Sequence, residues 1–172
     1  MSESTERASA RIELLAAKPE DEPVLANLLE LYIYDFSELL GLEIGEDGRF
    51  GYPRLSLYWS EPERYPFLVR VDGKLAGFAL VRKGEGVTGV GAVWDLAEFF
   101  VLRAYRRRGV GTQVAHEMWS RFPGQWEVRV MEENAPALRF WMDAVARFCS
   151  DVVSPVRVEG DGRWWQVFAF KS

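Results

Sequence analysis

The sequence predicts an α/β (α+β) fold: a mixed, mostly antiparallel central sheet of about seven strands with flanking helices. Three observations predict it. Asp72-Gly73-Lys74 and Gly160-Asp161-Gly162 each separate two apolar runs, the signature of antiparallel hairpins. Between residues 93 and 131 a strand pattern, a helical pattern and a second strand pattern follow one another, which implies parallel pairing. Of the 172 residues, 48% are apolar and 27% charged, enough to bury one core and the size of one domain, 1–172, with residues 1–9 expected to be a flexible tail.

Taken in order, Arg11–Ala16 reads as a first strand ahead of Lys18-Pro19. Pro19 or Pro23 then opens a helix, with Asp21 and Glu22 suited to its positive N-terminus. Val24, Leu25, Leu28, Leu31 and Tyr32 recur at helical spacing and define its buried face. Gly41, Gly45, Gly48 and Gly51 interrupt regular structure, and Leu55–Trp59 forms a short second helix stopped by Glu61-Pro62. Phe67–Val71 and Leu75–Val81 are the strands of the first hairpin. Lys83–Gly91 reads as a glycine-rich loop, and Val93–Leu102 as a long apolar strand carrying only Asp95 and Glu98 as charges. A helix from Gly109 to about Phe122 ends at Pro123-Gly124. Trp126–Met131 is a strand and Pro136–Phe148 a helix, and Val152–Val158 with Trp164–Phe170 closes the chain as a hairpin.

Composition excludes several classes of function. Cys149 is the only cysteine and His116 the only histidine, so a disulfide framework, a CxxC motif and a Cys/His metal site are ruled out, and no metal is expected. No apolar run reaches the roughly 18 to 20 residues of a membrane span, and the first residues lack the basic-then-apolar pattern of an export signal. The expected location is the cytoplasm, with no membrane partner. Net charge is −5, unevenly divided: −8 over residues 1–64 and +3 over residues 65–172. No extended basic surface supports nucleic-acid binding. The acidic first part suits either a cationic partner or a plain solvated surface.

The chemistry concentrates between Ala97 and Thr112. A strand runs into Arg106-Arg107-Arg108-Gly109-Val110-Gly111-Thr112, so two glycines sit at the mouth of a helix beside three arginines. Helix N-termini present unpaired N–H groups and partial positive charge to phosphates, glycine lets a ligand approach the backbone, and arginine adds charge-assisted donors. A phosphate-bearing ligand is expected here. The sequence lacks the Gly-Lys-Ser/Thr of a P-loop, and Val114 stands where a dinucleotide fingerprint needs its third glycine.

Arg106-x-x-Gly109-x-Gly111 instead resembles the acyl-coenzyme A pyrophosphate loop of the GNAT acetyltransferase superfamily. The lead-in Phe99-Phe100-Val101-Leu102-Arg103-Ala104-Tyr105 is similar to that family's strand and turn, with Arg103 replacing its usual proline. Asn134-x-x-Ala137-x-x-Phe140-Trp141, after the strand Trp126–Val130, is similar to its Asn-x-x-Ala-x-x-Phe-Tyr element. The likeness is strongest over residues 93–148. It implies the acyl-CoA N-acyltransferase (GNAT) type of sheet, acetyl-CoA as cosubstrate, and transfer of acetyl to an amine by direct attack in a ternary complex. The resemblance assigns main-chain contacts with the pantetheine arm and thioester to Phe99, Phe100 and Val101. It gives the pyrophosphate to Arg106, Arg107, Arg108, Gly109, Val110, Gly111 and Thr112, a cofactor hydrogen bond to Asn134, and the channel wall to Phe140. A non-catalytic acyl-CoA-binding module on the same fold is the alternative reading.

An alkylamine with pKa near 10.4 is neutral only about once in 2,500 molecules at pH 7, a handicap of roughly 4.6 kcal/mol, so a base is useful. Glu98, a carboxylate inside an apolar strand, is the candidate, and partial burial should raise its pKa. The competing reading is an ion-paired surface glutamate. Main-chain N–H at Phe100 or Val101 is the candidate oxyanion donor. Trp141 occupies the position where the family's tyrosine protonates the leaving thiolate, and an indole N–H does not give up its proton near neutrality. His116 and Cys149 read as structural. Trp59 and the group Tyr32, Tyr34, Asp35 and Glu38 are candidates for the acceptor cleft. Polyamine, aminoglycoside, amino acid and protein N-terminus are all compatible acceptors, and the terminal hairpins would let the chain form a homodimer.

Overall fold

The computed structural model describes residues 10–172; the tail expected at residues 1–9 lies outside the described residues. Strands β1 (Ile12–Ala16), β2 (Arg64–Val71), β3 (Lys74–Glu85), β4 (Ala92–Val101), β5 (Gln125–Met131), β6 (Val156–Gly160) and β7 (Arg163–Lys171) form a seven-stranded sheet in the order β1-β2-β3-β4-β5-β7-β6. Every neighbouring pair is antiparallel except β4–β5. Both two-residue hairpin turns use Asp-Gly with positive φ at both positions, Asp72 (50°) with Gly73 (74°) and Asp161 (52°) with Gly162 (72°), the geometry that matches the twist of the flanking strands.

Side chains alternate across the sheet, so each face has its own core. One face is covered by α3 (Val110–Arg121) and α4 (Ala135–Cys149), which pack on Val69, Val81, Leu96, Val101, Val128 and Phe168. The other is covered by α1 (Glu22–Leu40) and the short α2 (Leu57–Ser60), over Leu68, Phe78, Leu80 and Phe100. A 3₁₀ turn at Pro19–Asp21 leads into α1, so Pro19 starts the turn and Pro23 lies in the first turn of the helix.

Several boundaries differ from the sequence reading: β2 begins at Arg64 rather than Phe67, α2 spans Leu57–Ser60 rather than Leu55–Trp59, and two further differences change the loops. The loop expected over Lys83–Gly91 is shorter, because β3 runs on to Glu85 against Ala92–Trp94. Its charged end is kept in the sheet by Arg82, which reaches Asp95 on β4. The remaining loop is fixed by Glu127, 2% exposed, whose carboxylate accepts the backbone N–H groups of Val87 at 2.8 Å and Thr88 at 2.9 Å. The strand expected over Val152–Val158 begins at Val156 instead; Pro155 immediately before it has no N–H to give a ladder.

Two irregularities shape the middle of the sheet. The register of β3 on β4 moves from Leu80↔Glu98 to Val81↔Leu96, so Ala97 is an extra, bulged residue. The bulge changes the parity of β4. Trp94 and Leu96 face α3 and α4, but beyond the bulge that face receives Phe99 and Val101, and Glu98 turns with Phe100 toward α1 and α2. β4 and β5, meanwhile, pair only at Trp94↔Trp126 and Asp95↔Glu127. Past Asp95 the two strands part.

Candidate functional site

The wedge between the parted strands opens into a cavity of about 430 Å³. Tyr32, Ile33, Phe36 and Leu40 of α1 and Tyr52 of the following loop form one wall. Arg129 and Met131 of β5 with Arg163 and Trp165 of β7 form the other. Glu98, Phe99, Asn134 and Trp141 line it between these walls.

Glu98 is half-buried, and its Oε1 accepts a hydrogen bond from the Tyr52 hydroxyl at 2.9 Å. Burial pushes its pKa above the ordinary carboxylate value, against the opposing effect of the Tyr32 and Tyr52 hydroxyls that face the carboxylate. Both phenols are pushed upward in turn, by burial first and by the Glu98 charge second, and so stay protonated as donors. Behind Glu98, Asp95 Oδ2 accepts from Arg82 at 2.9 Å and Arg129 at 2.7 Å, a cluster with one positive charge in surplus. Because Tyr52 hydrogen-bonds the ionised carboxylate, removing its hydroxyl raises the Glu98 pKa further. The Tyr52→Phe variant is therefore expected to move any acidic limb of a pH–rate profile that reports Glu98 to higher pH, with less change on the plateau. A limb that stays in place would separate Tyr52 from the working carboxylate.

Leu102 N–H bonds back to Ala76 O of β3 at 2.8 Å. By alternation the Phe100 N–H and C=O face β3 as well, whereas those of Phe99 and Val101 face the opening. Phe100 thus contributes its ring to the α1 face rather than its backbone to the wedge, and Val101 O is already taken by Arg106 Nε at 2.7 Å. The open backbone groups are Phe99 N–H, Phe99 C=O and Val101 N–H.

The loop from Arg106 to Thr112 ends at the N-terminus of α3, where Gly109 takes φ 77° as N-cap, no side chain caps the helix, and its first turn has no acidic residue. Its first intrahelical bond is from Gln113 N–H to Gly109 O, which leaves the N–H groups of Val110, Gly111 and Thr112 without an intrahelical partner. Arg107 (φ 61°) and Arg108 are exposed beside them. This donor set fits an anion such as a pyrophosphate. Gly111 has a second reason to be glycine: a Cβ there would stand 3.0 Å from Phe140 Cζ, so α4 packs directly on the turn. Arg106 differs from its two neighbours. It bonds Asp35 Oδ2 at 2.7 Å while Arg103 bonds Asp35 Oδ1 at 2.6 Å, and this fastens the loop to α1. The two guanidiniums hold the Asp35 carboxyl below its usual range, although burial acts the other way.

Asn134 caps α4, its Oδ1 accepting from Ala137 N–H at 3.2 Å, which leaves its amide N–H₂ for the cavity. Phe140 stacks on Phe99 with centroids 6.1 Å apart, and Trp141 packs against Phe99, Phe140 and Trp119. His116 is structural: its Nε2 pairs with Ala144 O at 2.8 Å between α3 and α4. Cys149 ends α4, and burial pushes its thiol up. Among the acceptor-cleft candidates, Tyr32 lines the cavity, Asp35 belongs to the arginine loop, and Tyr34 and Glu38 are exposed. Trp59 bonds Ala17 O at 3.1 Å and stays outside the cavity. Tyr52, Arg129, Arg163 and Trp165 are among the cavity residues the sequence reading missed. Tyr52 is an aromatic set in a glycine-rich stretch, a weak signal; the others sit on β5 and β7, one face of which joins the cavity only because β4 and β5 part.

The family model for the acetyltransferase (GNAT) family matches residues 27–143. The fold is shared with an acetyltransferase from Thermus thermophilus (TM-score 0.68, 17% identity, covering 95% of this chain and 99% of that one). It is shared too with Arabidopsis thaliana NAA60 in complex with a bisubstrate analogue (0.61, 17%, 94% and 98%). A spermidine N-acetyltransferase SpeG chimera from Vibrio cholerae and hSSAT has it as well (0.61, 13%, 93% and 95%). A comparison with curated protein sequences finds no match. The family model spans more than half of the sequence, and the chain belongs to the GNAT acetyltransferase family.

Proposed function

We propose that this GNAT acetyltransferase is an N-acetyltransferase that works as one domain, moving the acetyl group of acetyl-CoA to an amine held against Glu98. The observation that carries the reading is the pairing, on one strand, of a half-buried carboxylate with an open backbone edge that leads straight into an uncapped helix N-terminus. The unpaired N–H groups of Val110, Gly111 and Thr112 with Arg107 and Arg108 hold the pyrophosphate, and Phe99 and Val101 offer main-chain donors and an acceptor to the pantetheine arm. Asn134 adds its side-chain N–H₂, and Phe140 walls the channel. Bound acetyl-CoA supplies an activated thioester: its carbonyl carbon gains the bond to nitrogen as the bond to sulfur breaks.

Glu98, kept less acidic by burial, accepts the proton the amine must lose, directly or through water. The Val101 N–H, facing the opening, is placed to stabilise negative charge on the carbonyl oxygen. Trp141 lies in an aromatic cluster, and Tyr32 and Tyr52 hold their protons too tightly to act as acids near neutrality. The thiolate, with a pKa near 8.5 by analogy with cysteine, therefore leaves and takes its proton from water. An amine acceptor is consistent with the spermidine acetyltransferase among the structural neighbours. The proposal includes a cytoplasmic setting, in keeping with a single cysteine, and among the described residues no helix is long and apolar enough to cross a membrane. The sheet edges at β1 and β6 are the surfaces through which a homodimer would pair.

Thermal unfolding with 1 mM acetyl-CoA, CoA or ATP tests the cosubstrate. For an affinity of about 10 μM, mass action adds roughly 2.7 kcal/mol, a midpoint shift of about 5 to 11 °C at this size. Both CoA species are expected to produce it and ATP is not. A shift without thiol release from any amine would mark a non-catalytic acyl-CoA-binding module, and no shift with either CoA species would remove the reading.

A further inference from the structure

Five arginines of the described chain are half-buried: Arg64, Arg70, Arg82, Arg129 and Arg163. Arg64 holds Glu61, Arg82 and Arg129 hold Asp95, and Arg70 holds the Gly73 carbonyl. Arg163 is different. It lines the cleft at the start of β7, and its one side-chain hydrogen bond among the described residues runs from Nη1 to Met131 Sδ at 3.4 Å. A thioether is a weak acceptor, and a guanidinium has five N–H donors to satisfy. Asp161, on the adjoining turn, also lines the cleft but makes no ion pair with Arg163 among the described residues. Arg129, on the same wall, shares its one carboxylate with Arg82, so this wall does not neutralise its own cations.

We propose that the acceptor is an amine that also carries a carboxylate, and that the carboxylate docks on Arg163. The inference rests on the transferase reading. The amine meets Glu98 on β4, the carboxylate meets Arg163 on β7, and the rest of the acceptor packs on Phe36, Leu40 and Trp165. A guanidinium pairs with a carboxylate by two parallel hydrogen bonds, which fixes orientation as well as affinity. A polyamine or aminoglycoside has no carboxylate to offer the Arg163 guanidinium. Free amino acids and short peptides share the required chemistry, and their length separates them.

The test is thiol release from acetyl-CoA with matched acceptors: phenylalanine against phenylalaninamide, the tripeptide Phe-Ala-Ala against its C-terminal amide, and spermidine. In at least one pair the acid is expected to exceed its amide by about tenfold or more in kcat/KM, the scale of a charged hydrogen bond. The pair that shows it distinguishes amino acid from peptide. The acid-to-amide ratio is expected to collapse toward one in Arg163→Gln and to recover in part in Arg163→Lys. Amides that match their acids, a preference for spermidine, or an unchanged ratio in Arg163→Gln would overturn this inference alone. The wild-type comparison decides it even where a variant fails to fold. No release from any acceptor would overturn the transferase reading and this inference with it.

Discussion

Replacing Glu98 by glutamine is expected to lower kcat by about 10²- to 10⁴-fold, the usual worth of a positioned general base, while the CoA-induced thermal shift persists. Glutamine is nearly isosteric and still accepts the Tyr52 hydroxyl, so the cleft keeps its shape and only the proton acceptor is lost. The cosubstrate contacts proposed above lie on the backbone of Phe99 and Val101 and on the α3 turn, none of which the substitution touches. A variant with wild-type kcat would show that Glu98 is an ion-pairing or packing residue and that the proton leaves by another route.

The pH dependence supplies an independent reading of the same group. Glu98 acts only when ionised, and burial places its pKa above the ordinary value for a glutamate. The rate should therefore fall on the acidic side as pH drops through that raised value, and this limb should vanish from the residual rate of Glu98→Gln. Stability runs the opposite way. A carboxyl with a raised folded-state pKa binds its proton more tightly in the native protein, so its stabilising contribution is complete below the unfolded-state pKa. It is lost as pH rises through the folded-state pKa. At neutral pH the ionised Glu98 is a burden on the fold, so Glu98→Gln should unfold at or above the wild-type midpoint there and lose that advantage in acid. A catalytic carboxylate is distinguished in this way from one that holds the structure together, because removing the latter would lower the midpoint at neutral pH.

Much of the architecture was legible because its signals are local. Asp72-Gly73 and Asp161-Gly162 prescribe their own turns, Pro136 and Asn134 mark the start of α4, and the period-3.6 pattern of α1 needs no partner to be recognised. The same locality made Gly109 and Gly111 readable as a helix mouth. What was not legible depends on non-local geometry. Arg163 is an unremarkable strand residue until the β4–β5 splay turns its wall into a cleft. Asp35, a candidate for the acceptor cleft by its place on α1, becomes the clamp for Arg103 and Arg106 only when α1 is laid on the sheet. The sequence also presents Glu98 and Leu96 as neighbours of equal parity; the bulged Ala97 alone sends them to opposite faces. Bulges leave no dependable trace in residue type, so the side on which Glu98 would act was outside the reach of periodicity.

The strand that bears Glu98 also makes the tightest contact found at any described glycine, and Gly77→Ala is expected to cost about 4 kcal/mol or more, with a fall in Tm of roughly 8 to 16 °C. Gly77 of β3 faces Val101 of β4. A Cβ at this position would collide with the Phe100 carbonyl oxygen, and would also stand 3.0 Å from the Phe100 carbonyl carbon and 3.1 Å from Val101 Cα. All three are backbone atoms, so no rotamer change relieves the overlap and the two strands must move apart. The effect should be local to this contact. Gly84, further along the same strand, has no atom within 4 Å of the Cβ it would gain and no positive φ, and Gly84→Ala is expected to stay within about 0.5 kcal/mol of wild type. Chemical and thermal unfolding of the two variants measures the difference. A Gly77→Ala protein that remains folded at low temperature should also lose CoA affinity, since the displaced segment is the one that presents the Phe99 and Val101 backbone to the opening. Wild-type stability with weakened CoA binding would mean that the sheet absorbs the collision by moving β4 outward into the wedge. Wild-type values for both would mean that β3 and β4 do not approach each other this closely, and the main-chain edge proposed for the pantetheine arm would then have to be redrawn.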